Sequence, residues 1–175
     1  MLACYCPSMT TTMNDEFTDH DQAKFMDSLR RIRRLPSVET QTVEWFRFDS
    51  AYGWRSRFGW KDTNCDLWRS GFRLYVRGML RRHEDRQLWV FTVARVEIPE
   101  RFRSRGWFGH YLEMCWRTMP HDGLVLEHVQ NKRLYDHFSG QPEYIRFAQS
   151  FLRLSPRGIG ECPTWPAQSD TKNNI

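Results

Sequence analysis

The chain has 175 residues, 40% hydrophobic and 27% charged, the balance of a globular protein long enough for one domain with its own core. No apolar run approaches the ~18 residues of a membrane span, and an acidic start (Asp15, Glu16, Asp19, Asp21) lacks the basic-then-apolar order of a secretory signal, so an intracellular, cytoplasmic protein with no membrane partner is expected. The net charge of +5 rests almost wholly on arginine, whose planar fork grips phosphate or carboxylate, so a phosphate-bearing cofactor, a nucleic acid and a solvated basic surface all fit it.

Residues 1–20 read as a flexible leader rich in Thr, Asp and Met. The five cysteines, Cys4, Cys6, Cys65, Cys115 and Cys162, are odd in number and form no CxxC pair, so free thiols and no metal are expected. From Asp21, Phe25, Leu29 and Ile32 fall on one helical face, and Arg30, Arg31, Arg33 and Arg34 suit a helix end closed by Pro36. Thr42 to Phe48, rich in aromatic and β-branched residues, reads as a strand, and Tyr52 to Asp66 as a connecting loop. Phe72 to Leu80 and Leu88 to Ile98 read as two strands of an antiparallel hairpin turning at His83-Glu84-Asp85.

After Gly106 the period changes to 3.6, with Phe108, Leu112, Cys115 and Met119 on one stripe and His110, Glu113 and Arg117 facing away. Pro120 to Gly123 breaks this helix, and Leu124 to Val129 is a short strand of the kind buried in a sheet. Asn131 is a good N-cap for a helix carrying Leu134 and Phe138, closed at Gly140. Tyr144 to Leu154 is a strand or a helix, and 155–175 reads as a flexible tail. The fold class is therefore α/β, one domain over residues 21–154, with a mixed, mainly antiparallel sheet whose parallel pair comes from strand–helix–strand between Leu88 and Val129.

The chemistry concentrates in Ile98 to Gly109, a strand-to-helix loop with Arg101, Arg103, Arg105 and a glycine at 106. Free backbone N–H groups at a positive helix end make such a loop an anion site. Arg103-Ser104-Arg105-Gly106-Trp107-Phe108 resembles the Arg/Gln-x-x-Gly-x-Gly/Ala signature of the GNAT acyl-CoA N-acyltransferases at Arg103 and Gly106, and departs from it at Phe108, although Gly109 follows. Val96-Glu97-Ile98-Pro99 resembles the family's fourth strand, and Leu126 to Asn131 with Leu134 and Phe138 its fifth strand, asparagine and following helix. The resemblance covers about 45 residues, Arg95 to Phe138.

The resemblance implies a GNAT-like fold whose fourth and fifth strands splay apart, with helices flanking the sheet. Acetyl-CoA would be the cosubstrate, its pantetheine arm beside Val96 and Ile98 and its pyrophosphate on the amides of Ser104, Arg105, Gly106, Trp107, Phe108 and Gly109 and on Arg103 and Arg105. Asn131 would contact the pantetheine or cap the last helix. An acceptor amine attacks the thioester directly. Only about one part in a thousand of an alkyl amine is neutral at pH 7, so a base is needed; the candidates are Glu97, where family members often place a carboxylate, Glu127 and His128. The family's usual tyrosine acid falls at Phe138 here, with Tyr135 on a neighbouring face. The acceptor is not identified; Trp54, Phe58, Trp60 and Trp68 with Arg55 and Arg57 suit a planar anionic acceptor or a core. The rival reading is a binding module of the same fold without turnover, acting on a partner protein or a nucleic acid.

Overall fold

The structure is a computed structural model that describes residues 19–56 and 63–155; residues 1–18 of the expected leader and 156–175 of the expected tail lie outside them, while residues 19 and 20 of that leader already belong to the first helix. The order is α1 (Asp19–Arg33), α2 (Val38–Ser56), β1 (Thr63–Arg69), β2 (Phe72–His83), β3 (Arg86–Glu97), a single 3-10 turn (Glu100–Phe102), α3 (Trp107–Thr118), β4 (Gly123–Leu126), α4 (Lys132–Ser139), β5 (Ile145–Phe147) and β6 (Ser150–Leu154). The fold is α/β with a mixed six-stranded sheet ordered β1-β2-β3-β4-β6-β5.

Thr42 to Phe48 is helix, not strand. Val38, Gln41, Thr42, Trp45, Phe46, Phe48 and Asp49 are the buried positions, a 3.6-residue stripe that three polar side chains disguise in the sequence. Its start is a reciprocal cap: Thr40 N donates to Ser37 Oγ and Ser37 N to Thr40 Oγ1, each at 3.2 Å. The Tyr52–Asp66 loop is corrected likewise, since α2 runs to Ser56 and β1 begins at Thr63. α1 forms where its stripe places it, with Leu29 and Ile32 buried.

β1 and β2 turn at Ser70 and Gly71, β2 and β3 at Glu84 and Asp85; Ser70 (φ 51°), Gly71 (φ 86°) and Glu84 (φ 53°) are left-handed, as tight hairpins require. Tyr144 to Leu154 resolves into the antiparallel pair β5 and β6. The only parallel contact in this sheet is β3 with β4, over Val90–Val93 and Gly123–Leu126. The expected stripe of α3 is buried at Leu112, Cys115 and Met119, with Tyr111 beside it.

Side chains from all four helices join one core cluster with alternate strand residues such as Leu74, Val76, Phe91, Val93, Leu124, Leu126 and Phe151. The opposite face holds a smaller cluster, Leu88, Val90, Val125 and Leu152, built from strands alone among the described residues. Helices on one face, rather than on both, are thus what the described chain supplies.

Candidate functional site

β3 and β4 part company early. Their last shared bond is Glu127 N to Val93 O, 3.1 Å. Beyond it β3 continues to Glu97 against β2, while the chain after Leu126 turns away through His128 (φ 47°) and Val129 N bonds Gln149 O at 2.8 Å. A bulge marks the same place: Tyr75 faces Arg95 but Val76 faces Val93, leaving Ala94 without a partner on β2. The edge of β3 from Ala94 through Val96 to Glu97, with Ile98 just past it, has no strand against it on the β4 side among the described residues.

Directly past that open edge comes the arginine loop. Arg103 Nε donates to Ile98 O at 3.0 Å, and Phe102 N and Arg103 N close the 3-10 turn on Pro99 O (2.8 Å) and Glu100 O (3.0 Å). The rings of Phe102 and Trp107 pack on Phe72 at 5.1 and 4.4 Å, anchoring both ends of the loop to the sheet. Ser104 (φ 57°) and Gly106 (φ 79°) are left-handed. A Cβ at Gly106 would meet nothing nearer than His110 Cε1 at 3.9 Å, so the backbone angle and not space calls for glycine there. The first bond of α3 is His110 N to Gly106 O, 3.1 Å, which leaves the amides of Trp107, Phe108 and Gly109 ahead of it at the positive helix end. Arg101, Arg103, Ser104, Arg105, Gly106 and Gly109 are exposed.

The departure at Phe108 has a packing cause: its ring is half-buried against the core, and Gly109 presents the open surface instead. Trp107 Nε1 donates to Glu39 Oε1 at 2.7 Å, pinning the start of α3 to α2. One cation was not foreseen. Arg133, in the first turn of α4, donates to Ser104 Oγ at 3.5 Å and adds its charge to the loop; no spacing in the sequence brings residues 104 and 133 together.

The three base candidates separate. Glu97 is exposed, 3.7 Å from Arg95 Nη1, and lines a cleft of about 460 Å³ with Arg33, Asp66, Trp68 and Arg73. Glu127 is clamped by Arg77 on one oxygen and Arg81 on the other, at 2.6 Å for the latter, with its side chain 10% exposed; it ties β2 to the end of β4 across β3. His128 is exposed, its backbone N donating to Ser150 Oγ at 3.3 Å. Asn131 caps α4, its Oδ1 accepting from Leu134 N at 3.1 Å. Phe138 is buried among Tyr144 (5.0 Å) and Phe151 (5.7 Å). Tyr135 packs edge-on to Phe151 at 5.2 Å, and Phe151 is the strand partner of Leu126, where the fork begins.

Of the proposed acceptor aromatics, Trp68 stands 54% exposed in the Glu97 cleft, Trp54 belongs to α2, and Phe58 and Trp60 lie outside the described residues. Cys65 and Cys115 are free and buried; burial pushes the Cys65 thiol up to about 11 and that of Cys115 further. Sequence reasoning also missed Asp49 and His121, both 0% exposed, joined at 2.7 Å with Thr63 on the second carboxylate oxygen and Trp45, Trp89 and Phe91 around the imidazole. Enclosed on every side, this pair braces α2 against the approach to β4. Among the described residues no three His, Cys, Asp or Glu gather as a metal site, and no helix is long and apolar enough to cross a membrane. The chain gives no significant match to any protein-family model, curated protein or solved structure.

Proposed function

We propose that the protein is a GNAT-type N-acyltransferase that moves an acetyl or other acyl group from acyl-CoA to an amine. The observation that carries this reading is one juxtaposition: a parallel strand pair that parts beyond Val93, with an arginine loop and uncapped helix amides immediately past the strand whose edge is left open. An extended amide-bearing arm such as pantetheine finds backbone partners along that edge near Val96 to Ile98. The pyrophosphate then meets the amides of Ser104 to Gly109 with Arg103 and Arg105, and Arg133 approaches from α4. Asn131 serves the fold as a cap, so its part in this reading is to set the start of α4.

In the reaction the amine nitrogen attacks the thioester carbonyl carbon, the oxygen takes the negative charge, and the tetrahedral species collapses by breaking the C–S bond. Glu97, the exposed carboxylate among the base candidates, takes the ammonium proton that would otherwise keep the amine from attacking, and the second proton that nitrogen loses as the amide forms passes to the departing CoA thiolate. A placed base contributes roughly 10²–10⁴ in rate. Glu127, with both oxygens held by arginines, is assigned to the fold. Tyr135, packed at the start of the fork, is the phenol available where the family's tyrosine position holds Phe138.

The test is thermal unfolding with acetyl-CoA, CoA and ATP. A ligand at 100 times its Kd adds about 2.7 kcal/mol, several degrees for a chain of this size. Stabilisation by both CoA species but not ATP, abolished in Arg103→Ala/Arg105→Ala, is expected. Absence of any CoA effect sinks the reading. The buried Phe138 favours a second reading, a non-catalytic module of this fold, for which CoA stabilises but no amine is acylated; a nucleic-acid-binding version predicts affinity falling steeply with salt.

A further inference from the structure

The cleft beside Glu97 has a construction of its own. Trp68, Arg73 and Glu97 are successive partners across β1, β2 and β3, so their side chains share one face of the sheet. At a strand spacing of about 4.8 Å, the backbones of Trp68 and Glu97 stand roughly 10 Å apart. Asp66 lies 3.6 Å from Arg73 Nε.

Trp68 is one of three large apolar side chains left exposed among the described residues, and its backbone is held at both polar groups by one buried side chain: Gln41, 0% exposed, accepts from Trp68 N at 3.0 Å and donates to Trp68 O at 3.3 Å. Arg33 Nε caps the neighbouring edge carbonyl, Asp66 O, at 3.2 Å. The outer edge of β1 is thereby closed at these residues to a pairing strand, which leaves recognition here to side chains. Those side chains are a half-exposed indole on a fixed backbone, two guanidiniums and two carboxylates. The charges balance, so the lining matches a ligand carrying one charge of each sign and a flat apolar group; a phosphate would face Asp66 and Glu97.

We propose that this cleft binds a free aromatic α-amino acid, with its ring on Trp68, its carboxylate at Arg73 and Arg33 and its amine beside Glu97. The span of about 10 Å suits a single amino acid lying across Arg73. That this ligand is the acyl acceptor rests on the acyl-transfer reading above; the binding itself does not.

The experiment is calorimetric titration of the full chain with L-phenylalanine, phenethylamine, L-alanine and adenosine monophosphate, with the CoA thermal shift measured on the same samples. Saturable binding of L-phenylalanine is expected, weaker by about tenfold or more for the analogues lacking the carboxylate or the ring, and equally weakened in Trp68→Ala and in Arg73→Ala. Both residues are about half exposed, so the variants should unfold at the wild-type temperature and keep the CoA shift. No saturation with L-phenylalanine, undiminished binding in both variants, or a preference for the nucleotide overturns the proposal. Amino-acid binding without any CoA shift keeps this site and removes acyl transfer; a CoA shift without amino-acid binding does the reverse.

Discussion

Asp49 shows how much one residue can hold. Its carboxylate joins Thr63 at the start of β1 to His121 ahead of β4, whose imidazole is ringed by aromatics, and a Cβ at Gly78 would collide with it. Asp49→Ala leaves the imidazole and the hydroxyl buried without their partner, so a loss of about 3 kcal/mol is expected, readable as a fall in the urea midpoint with unchanged slope. A loss below 1 kcal/mol would mean that water or a shifted side chain replaces the carboxylate. Gly106 makes the opposite case. Space around it is open, so Gly106→Ala should cost only the about 1–2 kcal/mol of a left-handed alanine, while weakening CoA stabilisation more than Gly109→Ala does. Arg103, Ser104, Arg105 and Gly106 were legible in sequence because they are neighbours in the chain. Arg133 and the Asp49–His121 pair were not, because each is made by contact across tens of residues.

At the scale of elements, α3 was legible and α2 was not. The stripe of α3 is apolar throughout, whereas the buried stripe of α2 includes Gln41, Thr42 and Asp49, each spent on a specific partner: the Trp68 backbone, the Tyr111 hydroxyl and His121. Polar residues inside a helix stripe look like a broken pattern until their partners are known. The docking of α3 against β6 carries its own pH signature. Hydrogen bonds from Arg153 and then Arg117 hold the Glu113 carboxyl below its ordinary 4.5. Its folded value lies under its unfolded one, so its contribution is complete above about pH 4.5 and is lost as pH falls below that. Denaturant midpoints between neutral and acid pH should fall less steeply in Glu113→Gln than in wild type; equal slopes would dissociate Glu113 from acid stability.

For the whole molecule the alkaline limb runs the other way. Burial raises the thiol of Cys65 to about 11, and raises Cys115, Tyr111 and Tyr144, so these groups stay neutral in the fold after an unfolded chain would ionise them. Their contribution is complete below their unfolded values, 9.0 for the thiols, and is lost as pH rises toward the folded ones. The unfolding midpoint should therefore decline above pH 9, and in a Cys4→Ser/Cys6→Ser/Cys162→Ser variant, which keeps only Cys65 and Cys115, thiolate absorbance should appear together with unfolding; thiolate signal from that variant while still folded would contradict the burial of both cysteines. The described helices gather on one face, with Thr42 and Tyr111 bonded at 2.9 Å between α2 and α3, so one helix layer backs both the fork and the arginine loop.

The amino-acid sequence by itself determined whatever depends on near neighbours: the α/β class, the β2–β3 hairpin with its polar turn, the helix after Gly106, the Asn131 cap and the run of arginine and glycine between β3 and α3. Turn, cap and helix stripe are local rules, obeyed within four residues. Only the tertiary structure decided which of the two candidate carboxylates is left exposed, because the two arginines that occupy Glu127 come from another strand. It alone seated Trp68 by a glutamine 27 residues earlier and put Glu97 in the same row as that indole. It alone, too, parted β3 from β4 beyond Val93, since where two strands separate depends on what each of them pairs with next.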